Sequence, residues 1–285
     1  MKFYIIHEGF YEGVQARIDL LKSACVKMGL KVFCVDSLDF DYSKLPKLSK
    51  QDLLYNISSG SQTLVSLLLN DEVTTFYKKN PNLNLITSTT EWTIIHTKAK
   101  LPQPKTIFHL TKNRVILKAY IDFLGGFPLI IKSPGGSRGI GTIKIETWQN
   151  LISTVDYLVT TPDSFIMREF IHADYGARVI VLGNEVILSK KFYFQENDFR
   201  NAPILSATHY EPMEIDEPTK QLCIKAVHLA NLEMAGVDLL FERETGKPYL
   251  LEINFPTGFQ SFMDDPQPVL TKMIQHLINK ANRYE

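Results

Sequence analysis

Three side chains with oxygen atoms that could bind a metal lie within 17 residues of one another near the end of the chain. Asp238 belongs to one apolar segment, and Glu252 and Asn254 belong to the next, beyond a polar turn. The segments predict two strands of a hairpin, Val237–Phe241 and Pro248–Ile253. Because side chains alternate along a strand, Glu252 and Asn254 project from one face, and Asp238 lies on the neighbouring strand. These residues could therefore form one site.

Two carboxylates and an amide make an all-oxygen ligand set, with no His or Cys beside them. Such a set suits Mg²⁺ or Mn²⁺ and does not suit zinc. The residues around it are apolar: Leu250, Leu251, Ile253 and Phe255. A carboxylate inside a core is destabilising unless it has a partner. We therefore expect a metal site here, and the alternative is a hairpin with ordinary charged edges.

A glycine-rich loop follows a predicted buried strand, Leu129–Ile131, that ends on Lys132. The loop covers residues 134–141, and a β-branched strand, Thr142–Ile145, comes after it. Backbone N–H groups of such a loop can wrap phosphate oxygens, and the lysine adds a positive charge. The spacing differs from a Walker A loop, because no Gly-Lys-Ser/Thr ends it, and from a Rossmann fingerprint, because a strand follows it. We expect phosphate binding, and the alternative is a glycine-rich hairpin without a ligand.

The composition of the 285 residues is that of an ordinary globular protein, with 45% hydrophobic and 22% charged residues. Lys plus Arg equals Asp plus Glu, at 31 each, so bulk charge does not indicate a nucleic-acid or membrane partner. Three cysteines, an odd number without metal-type spacing, predict reduced core residues of a cytosolic protein. We see no signal peptide and no apolar run of roughly 18 residues, so we expect a cytoplasmic protein. A homo-oligomer is left open.

The first part of the chain alternates between strand and helix patterns. A strand at Phe3–Ile6, a helix at 14–28 and a strand at Lys31–Val35 predict a parallel unit with a crossover helix. A third strand at Leu53–Ile57 and a following helix complete the pattern. We expect residues 1–86 to form an α/β domain with a doubly wound parallel sheet and no dinucleotide fingerprint.

The rest of the chain, residues 87–285, predicts a second region of mixed helices and strands. Near the start of this region, two prolines within Leu101–Thr106 predict a stiff, extended segment between domains. Beyond the hairpin described above, the predicted elements are helices at about 113–124, 148–158, 218–232 and 268–281, a strand at Ser164–Ile171, and a hairpin of 177–182 and 185–192.

These stretches resemble the ATP-grasp superfamily and, within it, the RimK-like carboxylate–amine ligases. The similarity extends from the first strand to about residue 262, and a specific combination carries it: Asn197-Asp-Phe-Arg200, then Gly236-Val-Asp238, then Glu252-Ile-Asn254. The resemblance implies an α/β (α+β) ATP-grasp fold behind an N-terminal pre-ATP-grasp domain. It also implies a lid subdomain at about 107–172 and a catalytic subdomain at about 173–285.

The family binds ATP between two subdomains with two Mg²⁺ ions, and Mn²⁺ is a possible substitute. By this resemblance Asp238, Glu252 and Asn254 are the metal ligands, and Arg200, assisted by Asn201, stabilises the transferring phosphoryl group. The nucleotide-binding residues implied are Lys132 at the phosphates, Ser137, Arg138, Gly139, Ile140 and Gly141 in the lid, Glu169, Phe170 and Ile171 at the adenine, Asp174 at the ribose, and Lys190 in place of a family arginine.

The chemistry implied is amide formation through an acyl phosphate, with release of ADP and phosphate. An amino acid such as glutamate would be joined to a carboxylate of a peptide, a protein or a small metabolite. Ser88 and Thr89 stand where the family usually has an Asp-Lys pair that contacts the phosphates. This difference motivates an alternative, a catalytically weak Mg-ATP-binding module that recognises a peptide or partner protein. A third reading is a kinase-like member that phosphorylates another kind of acceptor.

Overall fold

The computed structural model describes residues 1–9, 12–81, 89–133, 139–194, 199–200, 210–258 and 263–283, apart from the side chains of Glu12 and Ser59. Three sheets lie within these ranges, of three, four and five strands. The three-stranded sheet is parallel, and the other two are antiparallel. Helices and sheets are both present, as the α/β (α+β) fold class requires.

The N-terminal sheet is built from β1 (Lys2–His7), β2 (Lys31–Asp36) and β3 (Asp52–Asn56), in the order β2-β1-β3. Two helices belong to it, α1 (Glu12–Lys27) and α2 (Gln62–Leu68), and a 3₁₀ turn at Ser59–Ser61 precedes the second. Alternate residues of β1 point to opposite faces: Phe3 and Ile5 pack with α1, and Tyr4 and Ile6 pack with α2. Helices therefore cover both faces of this parallel sheet.

The four-stranded sheet has the order β4-β7-β5-β6. Its elements, with the helix before it, are α3 (Thr89–Lys98), β4 (Thr106–Ile107), α4 (Arg114–Leu124), β5 (Leu129–Lys132), β6 (Thr142–Ile145), α5 (Trp148–Leu158) and β7 (Ile166–Glu169). Leu117 of α4 and Leu151 of α5 pack against Leu129 and Ile131 of β5. Strand β4 begins at Thr106, the last residue of the segment for which the sequence predicted only an extended connection. Because β4 is only two residues long, it is too short for alternating hydrophobicity in the sequence to predict it.

Local capping explains where the helices of this region begin and end. The side chain of Asn113 accepts hydrogen bonds from the N–H groups of Val115 and Ile116, and Thr147 caps α5 in the same way. Gly125 ends α4 in the left-handed conformation, with φ of 94°. These signals lie within a few residues of each helix end, which is why the predicted bounds 113–124 and 148–158 are close to the observed ones.

The five-stranded sheet has the order β10-β9-β8-β11-β12. Its elements are β8 (Ala173–Leu182), β9 (Glu185–Tyr193), β10 (Tyr210–Pro212), α6 (Glu217–Leu229), β11 (Met234–Glu242) and β12 (Pro248–Asn254). Helix α6 covers one face, where its residues Ala226 and Val227 pack with Ala177, Val179 and Val237. The opposite face carries the charged side chains described below. Both predicted hairpins form, β8 with β9 and β11 with β12.

The last helix, α7 (Gln267–Asn282), packs on the N-terminal sheet, in a core that also includes Leu182 of β8 and Met234 of β11. Its residues Val269, Met273 and Leu277 share a core with Phe3 and Ile5. The first and last parts of the chain are thereby held together. The domain bounds 1–86 and 87–285, with their subdomains 107–172 and 173–285, stay predictions, as does the pre-ATP-grasp name of the first unit.

Candidate active site

A row of four charged residues crosses the five-stranded sheet on neighbouring strands. Lys190 of β9 pairs with Arg178 of β8, Arg178 pairs with Asp238 of β11, and Asp238 pairs with Glu252 of β12. Directly paired residues of an antiparallel sheet project from the same face. The row therefore places two cations beside two carboxylates, on the face opposite to α6.

Direct contacts tie this row to its neighbours. Nη2 of Arg178 donates to Oδ2 of Asp238 at 2.9 Å, and the Arg178 Nε also contacts this carboxylate. The amide of Asn254 donates to the same Asp238 Oδ2 at 3.1 Å. The Nζ of Lys132 lies 2.9 Å from Oε2 of Glu252. The structure thus brings together the three predicted metal ligands and the predicted phosphate lysine.

Arg168 forms a second link between the two antiparallel sheets. It lies on β7 and is only 2% exposed. Its Nε donates to the Thr106 hydroxyl at 3.1 Å, and its Nη1 donates to the Leu251 carbonyl at 3.2 Å. Leu251 is the extra residue of a β-bulge, since Asp238 pairs with Glu252 and the next residue of β11 pairs with Leu250. Arg168 therefore anchors β12 at the residue before Glu252.

The two carboxylates differ in how easily they take up a proton. Burial raises the pKa of Asp238 to about 6, with Glu252 adding to the rise and Arg178 opposing it. Burial also acts to raise the pKa of Glu252, but attraction by Lys132, then by Arg178 and Arg168, outweighs it and leaves that pKa lowered. Glu252 is thus held as an anion by the cations around it.

The donor chemistry of this group fits a hard divalent cation. Two carboxylates and an amide supply only oxygen, which suits Mg²⁺ or Mn²⁺. Oδ1 of Asp238 is buried, and its contact with the Arg178 Nε is an ion pair without hydrogen-bond geometry. Within the described ranges no cluster of three or more His, Cys, Asp or Glu side chains could hold a metal. The amide of Asn254 is therefore needed to complete the set.

The residues predicted to read adenine lie at the end of β7. The Glu169 N–H donates to the Lys105 carbonyl at 3.0 Å, and its Oε2 accepts from the Lys105 N–H at 3.1 Å. Phe170 lies under the Nζ of Lys144, 5.1 Å from the ring centre, and Ile171 is buried. Backbone contacts therefore hold the Glu169 carboxylate in place. Asp174 forms an exposed ion pair of 2.6 Å with Arg243, and it lies on β8, the strand that also carries Arg178.

The glycine-rich loop meets Arg200. Gly139 and Gly141 have φ of 74° and 78°, in the left-handed region that favours glycine. A Cβ placed on Gly139 would lie 2.9 Å from Cδ of Arg200, so the two residues are in contact. Ile140 between the glycines is 53% exposed. Ser137, Arg138 and Asn201 lie outside the described residues.

Arg168 and Arg178 are site residues that the sequence analysis did not select. Both are arginines inside apolar strands, in Ser164–Ile171 and Ala177–Leu182. A buried guanidinium needs an acceptor or a carboxylate. That requirement was the available signal, and it could have pointed to both residues before the structure was known.

A family model for the RimK-like ATP-grasp domain matches residues 91–277. The chain belongs to the RimK-like ATP-grasp family. The match covers the four- and five-stranded sheets and confirms the resemblance found in the sequence.

Two named relatives and a solved structure agree with this membership. The chain is 29% identical over 166 residues to a probable alpha-L-glutamate ligase of Aeromonas salmonicida (strain A449), covering 57% of this chain and 55% of the relative. It is 31% identical over 146 residues to a ribosomal protein bS6–L-glutamate ligase of Escherichia coli O7:K1 (strain IAI39 / ExPEC), covering 49% of this chain and 46% of the relative. The chain thus spans about half the length of the curated relatives it matches.

The solved structure is the ATP-grasp ligase PsnB complexed with a phosphomimetic variant of minimal precursor, Mg and ADP. The TM-score is 0.73 at 18% identity, with 96% of this chain and 98% of that chain covered. At this identity the likeness establishes the fold, which is the predicted ATP-grasp fold. Among the described helices of this chain, none has the length and apolar character to cross a membrane. Cytoplasmic location stays a prediction, and the oligomeric state stays open.

Proposed function

We propose that this chain is an ATP-dependent carboxylate–amine ligase that adds an amino acid such as glutamate to a carboxylate of a peptide, a protein or a small metabolite. The observation that carries the proposal is the cluster of Asp238 and Glu252 with Lys132, Arg168 and Arg178 at the junction of two sheets. The names of the relatives, two of them glutamate ligases, support the class of reaction.

The cluster suits a magnesium nucleotide because of its charges. In the structure, Asp238 forms an ion pair with Arg178, and Glu252 forms one with Lys132. Asp238, Glu252 and Asn254 would hold Mg²⁺, which supplies positive charge that neutralises the phosphates. Lys132 and Arg178 would then turn their donors to phosphate oxygens, because the metal takes over their carboxylates. Lys190, next to Arg178 in the sheet, adds a further cation to the same face.

The remaining residues would position the nucleotide. In this proposal Glu169, Phe170 and Ile171 contact the adenine, and Asp174 contacts the ribose. The loop that includes Gly139, Ile140 and Gly141, with Ser137 and Arg138 before them, covers the triphosphate. The contact between Gly139 and Arg200 supports this assignment, because it brings the loop to an arginine suited to a transferring phosphoryl group.

The reaction would take place in two steps. A substrate carboxylate attacks the γ-phosphorus of ATP, the bond to the leaving ADP oxygen breaks, and an acyl phosphate forms. Arg200, with Asn201, stabilises the negative charge on the transferred group. The amine then attacks the carbonyl carbon, the bond to phosphate breaks, and the amine loses a proton as the amide forms. Each turnover therefore yields one amide, one ADP and one phosphate.

Incubation with Mg-ATP and a panel of amino acids, short peptides and carboxylate metabolites tests this proposal. Mass spectrometry should find an amide, and added hydroxylamine should trap the acyl phosphate as a hydroxamate. A phosphorylated product that resists hydroxylamine would instead indicate a kinase-like reaction. Mg-ATP binding without any turnover would indicate the binding module that the residues Ser88 and Thr89 suggest.

A further inference from the structure

Arg17 on α1 lies at the carboxyl edge of the N-terminal sheet. Its Nη1 donates to the carbonyl of Ile57, the residue after β3, at 2.7 Å. The side chain is half-buried. In open parallel sheets this edge is where ligands bind. Arg17 is therefore placed to contact a small molecule in addition to the Ile57 carbonyl.

Among the side chains that the structure describes, no acid balances the charge of Arg17. Its Nε is buried and has no hydrogen-bond acceptor. Across the described ranges, no Asp or Glu forms an ion pair with it. A charged donor taken from water without a partner is destabilising, and a carboxylate bound at the guanidinium would offset part of that cost.

A continuous set of contacts leads from Arg17 to the charged row. Nη2 of Arg17 lies 3.5 Å from the position of a Cβ on Gly258, which follows shortly after Asn254. Thr257, fully buried, places its hydroxyl 2.5 Å from a Cβ position on Gly236, and Nη1 of Arg178 lies 3.3 Å from the same position. A series of close approaches through Gly258, Thr257 and Gly236 thus runs from Arg17 to Arg178.

We infer that Arg17 binds a carboxylate of the amino-acid substrate, one that does not react. The inference rests on the proposed function. A guanidinium presents paired donors that match a carboxylate. The carboxylate to be phosphorylated must lie with Arg178 and the metal ligands, so the cation on the other side of Gly236 and Thr257 is placed for a second acidic group. An amino acid whose amine reacts keeps its own carboxylates, and one of them can reach this guanidinium.

A purely structural role is the alternative, in which Arg17 only fixes α1 to the end of β3. The Ile57 contact alone would serve that role. A structural arginine would affect unfolding and all ligands alike, whereas a carboxylate-binding arginine selects acids over amides. Selectivity is therefore the property to measure.

The test is calorimetric binding in the presence of MgADP, which needs no turnover. The probes are L-glutamate and L-aspartate, each compared with its two monoamides. The variants are Arg17→Gln and Arg17→Lys, with Lys22→Gln as a control because Lys22 is exposed on the same helix. Thermal unfolding of every variant checks the fold, and Arg17→Lys remains informative if Arg17→Gln does not fold.

The wild type should bind L-glutamate or L-aspartate about tenfold or more tightly than at least one monoamide of that same amino acid. Arg17→Gln should weaken binding of the acid by about 10- to 100-fold and bind acid and amide equally, with MgADP affinity unchanged. Arg17→Lys should keep part of the selectivity, and Lys22→Gln all of it. The inference is overturned if the wild type does not select an acid, if Arg17→Gln keeps the selectivity, or if MgADP affinity falls in parallel. Selective binding without amide formation would instead count against the proposed function alone.

Discussion

Nζ of Lys132 lies 2.9 Å from Oε2 of Glu252, and this ion pair joins the ends of two different sheets. Lys132 is the last residue of β5, and Glu252 lies near the end of β12. Both side chains are largely buried, so their attraction is screened less than that of a surface pair. The protonation state of Glu252 thus depends on the packing of the four-stranded sheet against the five-stranded sheet.

The first prediction concerns Lys132. Lys132→Ala should weaken Mg-ATP binding by about 10- to 100-fold, because a charge-assisted contact to phosphate is lost. Lys112→Ala, at an exposed lysine of the same region, should leave binding unchanged. Calorimetric titration with a non-hydrolysable ATP analogue measures both. Equal affinities in the two variants would show that Lys132 does not reach the nucleotide.

The second prediction concerns the pair of Arg178 and Asp238. Arg178→Gln leaves a 1% exposed carboxylate without its cation, and it should lower the free energy of unfolding by about 3–5 kcal/mol. Adding Asp238→Asn should recover part of this loss, because the neutral amide needs no counter-charge. Urea denaturation of the two single variants and the double variant measures the coupling. Additive losses would show that the two side chains do not depend on each other.

The third prediction separates two effects of a glycine in the glycine-rich loop. Gly139→Ala and Gly246→Ala both force an alanine to a positive φ, of 74° and 68°, which costs about 1–2 kcal/mol. Only the first also brings a Cβ to 2.9 Å from Arg200, since Gly246 has nothing within 4 Å. Gly139→Ala should therefore reduce ADP release much more than Gly246→Ala does, at similar losses in melting temperature. If both variants keep full ADP release, the contact with Arg200 has no part in turnover.

The fourth prediction is a pH dependence at the end of α7. Lys280 donates to Glu233 at 2.8 Å, and His276 contacts the same carboxylate oxygen at 3.1 Å. Burial acts to raise the pKa of Glu233, but these two partners outweigh it and lower the pKa below its usual 4.5. A carboxylate whose pKa is lower in the folded than in the unfolded chain stabilises the fold at every pH above its unfolded-state pKa. That stabilisation is lost as the pH falls through its folded-state pKa.

Stability of the wild type should therefore decline on acidification below about pH 4.5. Glu233→Gln should be less stable at neutral pH and should decline less steeply over the same range. Urea denaturation at several pH values gives both slopes. Parallel curves for the two proteins would show that Glu233 titrates alike in the folded and unfolded chains.

The parts of the candidate site that the sequence predicted are those set by local order. Strand alternation and one turn place Asp238, Glu252 and Asn254, so the hairpin pattern was sufficient. Lys132 was found as the end of an apolar strand, but its contact with Glu252 was not, because that contact depends on how two sheets meet. The packing of α7 on the N-terminal sheet was missed for the same reason, since an amphipathic helix does not indicate which core it covers.

The most direct test of the account is ADP release measured together with amide formation, in the wild type and in Glu252→Gln. Glu244→Gln, an exposed acid in the turn of the same hairpin, serves as the matched control. We predict one ADP per amide in the wild type and in Glu244→Gln, and neither product from Glu252→Gln, with all three proteins folded. Amide formation that persists in Glu252→Gln would contradict the proposed role of the charged cluster.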